Sequence, residues 1–129
     1  MLKLNKIHHV AIICVDYEVS KHFYCNILGL TLLKENYREV MQSWKAELAF
    51  GDNYQIELFS FPAPPPRLNY PEACGLRHLA FSVDNVEESI QYLQQHGITC
   101  EPIRIDPSSH KQFTFFQDPD GLPLELYCA

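Results

Sequence analysis

The chain says one short phrase twice, and that repetition limits its fold more than any other feature. Ile7-His8-His9-Val10-Ala11-Ile12 is answered by Leu76-Arg77-His78-Leu79-Ala80-Phe81, and Ile56-Glu57-Leu58-Phe59 by Leu124-Glu125-Leu126-Tyr127. The distance along the chain from His9 to Glu57 differs by one position from that between His78 and Glu125. Two copies of one module are expected, each with an imidazole and a carboxylate at matched places.

Registered on these histidines, the halves predict the same elements. Strands over Lys6–Cys14 and Gly75–Val83 are rich in β-branched and aliphatic residues. Asp16 and Asp84-Asn85 follow as helix-starting side chains, leading into helices at Tyr17–Leu28 and Val86–His96. Their expected apolar stripes are Val19, Phe23, Ile27 and Val86, Ile90, Leu93, and Gly29 and Gly97 supply the stops. Three strands then follow in each half: Leu30–Arg38, Gln42–Phe50 and Tyr54–Ser60, then Ile98–Ile105, Lys111–Gln117 and Leu122–Tyr127. Gly51-Asp52-Asn53 and Asp118-Pro119-Asp120-Gly121 are the last turns.

The order is β-α-β-β-β, twice, in the α+β class. The expected organisation is one domain over 1–129, made of modules 1–60 and 75–129. A connector over 61–74 joins them, with Pro62, Pro64, Pro65, Pro66 and Pro71 forbidding a central strand.

Side chains alternate across a strand, so His9 shares a face with Ala11 and Ile13, and Glu57 with Gln55 and Phe59. His78 goes with Ala80 and Ser82, and Glu125 with Pro123 and Tyr127. Such mixed neighbours suit a cavity wall better than an aliphatic core. His9, Glu57, His78 and Glu125 together make two nitrogens and two oxygens, the donor set of a metal site. A one-residue slip of the first strand would put His8 in place of His9.

Other features narrow the function. A net charge of −6 argues against a general nucleic-acid partner, since phosphate contacts need clustered Lys and Arg. No run reaches the length of a membrane span, and no secretory leader is read at the start, so a cytoplasmic protein is expected. The five cysteines, with no CxxC, read as reduced packing thiols. His22 and His96 read as helix-surface residues, and Trp44 and Tyr37 as core or rim. His110, Lys111, Arg38, Lys45, Arg67 and Arg104 are weaker candidates for meeting an anionic substrate.

In combination, His9-Val10-Ala11-Ile12-Ile13 leading to Asp16, Phe23-Tyr24, Leu28-Gly29-Leu30, Gly75 through Asp84, and Asp118-Pro119-Asp120-Gly121 before Leu124-Glu125-Leu126 resemble the vicinal-oxygen-chelate superfamily. Within it the chain is most similar to small bacterial glyoxalase-like proteins, which share the proline-rich connector and the Phe113-Thr114-Phe115-Phe116 strand. The resemblance implies a cup-shaped mixed sheet of paired βαβββ modules, often a homodimer. It maps the ligands of one divalent ion to His9, Glu57, His78 and Glu125.

Mixed N and O donors suit Ni, Co, Mn or Fe, or an expanded Zn site. The implied activity is that of a glyoxalase I-like lyase or isomerase. Its substrate would be a small vicinal-oxygen compound, such as a 2-oxoaldehyde–thiol adduct, reacting through an enediolate that the metal stabilises. Glu57 and Glu125 are the candidate bases. Ile13 stands where small glyoxalases usually carry an arginine for glutathione, which leaves the thiol open. Epoxide thiol transfer, extradiol dioxygenation and non-catalytic binding of a small molecule are the alternatives.

Overall fold

Apolar side chains at every second position turn the expected runs into strands with one face inward. In the first half β1 (Val10–Cys14), β2 (Thr31–Arg38), β3 (Ser43–Phe50) and β4 (Asn53–Ser60) form, with α1 (Tyr17–Lys21) after β1. The second half repeats this with β5 (Leu79–Val83), α2 (Val86–Gln95), β6 (Arg104–Ile105), β7 (Gln112–Gln117) and β8 (Pro123–Cys128). The computed structural model describes residues 1–129, which form two units, Met1–Pro65 and Pro66–Ala129. The boundary falls inside the proline-rich connector.

Each unit holds one four-stranded mixed sheet, in the order β1-β4-β3-β2 or β5-β8-β7-β6. β1 runs parallel to β4 and β5 to β8, while the other neighbours are antiparallel. The α+β class with twofold β-α-β-β-β order is therefore what the chain adopts.

Register sorts the side chains. Ile12 pairs with Leu58, Leu58 with Ala46, and Ile56 with Leu48, and all five are buried. In the second unit Leu124 pairs with Phe116 and Leu126 with Thr114, again buried, with Val86 and Leu93 of α2 joining that core. The opposite faces carry Ala11 against Glu57 and Ala80 against Glu125. One face of each sheet is core, and the other carries the candidate glutamates.

Asp16 and Asn85 cap the helices as expected, accepting from Val19 N at 3.2 Å and Glu88 N at 2.9 Å. Gly29 and Gly97 take the left-handed angles that end them, at φ 85° and 76°.

β1 and β5 each begin four residues later than the strands expected from Lys6 and Gly75, and two further elements depart from the sequence expectation. The first helix is α-helical only to Lys21 and continues as a π turn over His22–Ile27, which buries Phe23 and Tyr24 side by side. Val19, expected on the apolar stripe, is 51% exposed, and Tyr17 is buried instead. Tyr17 stacks on Trp44 at 4.9 Å between ring centroids, and its hydroxyl donates to Glu35. An aromatic ring with a partner for its polar tip takes the inward place from a smaller aliphatic chain.

The expected strand over Ile98–Ile105 shrinks to Arg104–Ile105. Pro102 has no N–H to offer a ladder, although Glu101 N still donates to Phe115 O at 2.8 Å.

Candidate metal centre

Both candidate histidines sit immediately before a strand, β1 for His9 and β5 for His78, rather than within one. Each reaches across to the glutamate of the parallel neighbour. His9 Nε2 lies 3.3 Å from Glu57 Oε1, and His78 Nε2 lies 3.5 Å from Glu125 Oε1. The same nitrogen meets the same oxygen in both units. Shielding is matched too: the side chains are 35% and 14% exposed in the first pair, and 30% and 13% in the second.

These spacings test whether the residues fit a metal. They are longer than a good N–H···O bond of about 2.7–3.2 Å. Two donors each about 2.0–2.2 Å from one ion, at angles between a right angle and the tetrahedral value, stand about 3.0–3.5 Å apart. Each pair therefore has the spacing of two ligands of one ion. Within neither unit does a further His, Cys, Asp or Glu join the pair as a third possible ligand.

The surroundings of the two carboxylates differ. Glu57 accepts from the Tyr54 hydroxyl, and Lys45 Nζ stands 3.5 Å from its Oε2. Burial raises its pKa, but the Tyr54 hydroxyl, His9 and Lys45 outweigh that and hold the carboxyl below its usual range. The Tyr54 phenol is driven up in turn, by burial and then by Glu57. Glu125 has no such tethers; its strand neighbour across the sheet is Phe115, whose ring meets His78 edge-on at 5.0 Å. Glu57 is clamped, and Glu125 is freer to move.

His9, not His8, faces the glutamate. His8 Nδ1 lies 2.8 Å from His9 Nδ1. A His9 that keeps its Nε2 lone pair for a ligand carries its proton on Nδ1 and can donate it to His8 Nδ1, which takes the place of the carboxylate, carbonyl or water that commonly orients a metal-bound histidine. The Nδ1 of His78 is buried and has no hydrogen-bond partner.

The remaining candidates sort themselves by place. His22, His96, His110 and Lys111 are exposed. Trp44 is rim packing, between the stacked Tyr17 and an edge-on Tyr37 at 5.2 Å. Arg38 lies over Phe59 at 4.9 Å and donates to Ser43. Arg67 and Arg104 line a cavity in the second unit together with Arg77, which sequence reasoning passed over. Its position next to His78 was the signal that could have found it.

Residues 6–126 match the family model of the Glyoxalase/Bleomycin resistance protein/Dioxygenase superfamily. The chain is 61% identical to the uncharacterized protein YaeR of Escherichia coli (strain K12), over 98% of each chain. A solved structure of the glyoxalase family protein from Enterococcus faecalis superimposes with a TM-score of 0.88 at 48% identity, covering 95% of this chain and 96% of that one. More distantly, the lactoylglutathione lyase of Salmonella typhimurium is 27% identical over 86% of this chain and 83% of its own length.

Proposed function

We propose, because the chain belongs to the glyoxalase/bleomycin resistance protein/dioxygenase superfamily, that His9, Glu57, His78 and Glu125 hold one divalent ion and carry out a glyoxalase I-like isomerisation. The observation that carries this is the pair of matched Nε2–Oε1 spacings, 3.3 and 3.5 Å, at equivalent places in the two units. Two neutral imidazoles and two carboxylates balance a divalent charge, and N/O donors suit Ni, Co, Mn, Fe or an expanded Zn. When bound, such an ion supplies Lewis-acid stabilisation of charge developing on two adjacent substrate oxygens.

The chain's own groups move the proton. In a 2-oxoaldehyde–thiol adduct, a carboxylate takes the proton from the carbon that bears sulfur and hydroxyl, and the proton returns to the neighbouring carbonyl carbon. The hydroxyl proton of the first carbon passes to the oxygen of the second, so the first carbon is oxidised to a thioester carbonyl, the second is reduced to an alcohol, and no outside electron donor is required. Glu125 suits the mobile role because nothing but His78 restrains it. Glu57, held by Tyr54 and Lys45, suits the fixed one. Half-buried aromatic neighbours such as Phe115 limit water around Glu125.

The test is elemental mass spectrometry on untagged protein, followed by assay with methylglyoxal–thiol adducts. About one divalent ion per chain is expected, lost in His9→Ala and weakened in Glu57→Gln, with Glu125→Gln abolishing turnover. A parent protein that takes up no metal after reconstitution with Ni, Zn and Mn would overturn the enzyme reading. Full occupancy with unchanged adducts would overturn the thioester-forming reaction.

A further inference from the structure

Beside His78 the second unit holds a half-open cavity of about 220 Å³. Three of the chain's four arginines line it, Arg67, Arg77 and Arg104, and none of its six lysines does. In a chain of net charge −6, this is a local reversal of sign.

The three arginines are not equivalent. Arg67 is immobilised: its Nε donates to Asn69 Oδ1 at 2.7 Å, and its Nη2 donates to the carbonyls of Leu76 and Arg77 at 2.7 and 2.9 Å. Those partners are neutral, so the guanidinium is fixed, its charge stays uncompensated, and only its Nη1 N–H groups remain to donate. Asn69 is itself anchored, donating to Gly121 O at 2.8 Å. Arg104 is already engaged, with Glu101 at 3.1 Å and with the faces of Phe113 and Phe115. Arg77 is exposed and has neither ion pair nor hydrogen bond through its side chain. Of the two carboxylates on the lining, Glu101 belongs to Arg104, which leaves only Glu72 against Arg67 and Arg77.

The free guanidinium of Arg77 offers two parallel N–H groups that match a carboxylate or a phosphoryl oxygen pair, which an ammonium cannot, and Arg67 adds a fixed charge and its Nη1 donors. The volume lies below the roughly 300–1,000 Å³ of drug-sized sites, so it fits a small charged group and not a large cofactor.

We propose that this cavity is an oxyanion subsite that takes the carboxylate or phosphoryl group of a small substrate between Arg77 and Arg67. The rest of that substrate is thereby presented to His78, a direction that rests on the metal-site reading above. The binding of the anion does not depend on that reading.

The experiment is an NMR titration of the arginine Nε–Hε signals at constant ionic strength, with inorganic phosphate and separately with succinate. It is run on metal-reconstituted protein whose ion content is measured in the same sample. Saturable shifts at Arg67 and Arg77 with at least one probe are expected, and the probe that saturates identifies the phosphoryl or the carboxylate form. Arg77→Ala should weaken binding about tenfold, the loss of a charge-assisted bond. Arg77→Lys should fall between, keeping charge without the fork, and Lys34→Ala should match the parent. Shifts that never saturate, or equal affinity in an Arg77→Ala protein of unchanged thermal midpoint, overturn the subsite. Metal-loaded protein that ignores both anions refutes this inference alone, whereas metal-free protein that still binds through Arg77 refutes only the metal reading.

Discussion

Single side chains here are set by what they touch, and the face that carries the candidate glutamates shows it beyond those residues. Tyr127 shares that face with Glu125 and donates to Asp106 Oδ2 at 2.8 Å. Asp106 also accepts from the backbone N–H and hydroxyl of Ser108, at 2.9 and 3.0 Å. The Ser108 backbone donor first, then the Tyr127 hydroxyl, brings the Asp106 carboxyl down to about 2 from its ordinary 3.8. A depressed carboxylate adds stability above its unfolded pKa and loses it as pH falls through the folded one, so this contribution disappears between about pH 4 and pH 2. Tyr127→Phe should raise the Asp106 pKa and shift that loss to higher pH, read from the titration of its carboxyl carbon by NMR; an unmoved pKa would show the hydroxyl to be irrelevant. None of this was legible beforehand, because Asp106 and Tyr127 are joined only by folding. His9, Glu57, His78 and Glu125 were legible, since a duplication marks equivalent positions without any coordinates.

At the scale of elements, alternation foretold which face of β1, β4, β5 and β8 would turn inward. Leu58 and Leu124 are both completely buried, on β4 and β8, directly after Glu57 and directly before Glu125. Each change to Ala should cost about 2–5 kcal/mol, the range for truncating a buried leucine, with the urea midpoint falling and the slope unchanged. A loss well under 1 kcal/mol at either site would mean that its sheet face is not core. Period and propensity worked where packing agreed with them, as in α2, where Val86 and Leu93 are buried as expected. They failed where a long-range partner intervened. Tyr17 turns inward because Trp44 and Glu35, brought in by β3 and β2, receive it. No window of neighbouring residues contains that information.

For the whole molecule the decisive question is whether both His–Glu pairs serve one ion. If they do, His9→Ala and His78→Ala should each remove nearly all of the bound metal and the double variant should remove no more, because effects within one cooperative site are not additive. Half occupancy in each single variant and none in the double would mean separate ions and would end the four-donor reading. No helix of the chain is long and apolar enough to cross a membrane, which agrees with the absence of any long apolar run. The sequence by itself determined the twofold β-α-β-β-β plan, the capped helices and the four candidate donors, because local periodicity and repetition are written in neighbouring positions. Tertiary structure decided which strand lies beside which, and so which histidine meets which glutamate at ligand spacing. It also decided that Glu57 is clamped while Glu125 is not, and that Arg67, Arg77 and Arg104 share one cavity. Those relations join residues far apart in the chain, and only the closing of the sheets gives them a distance.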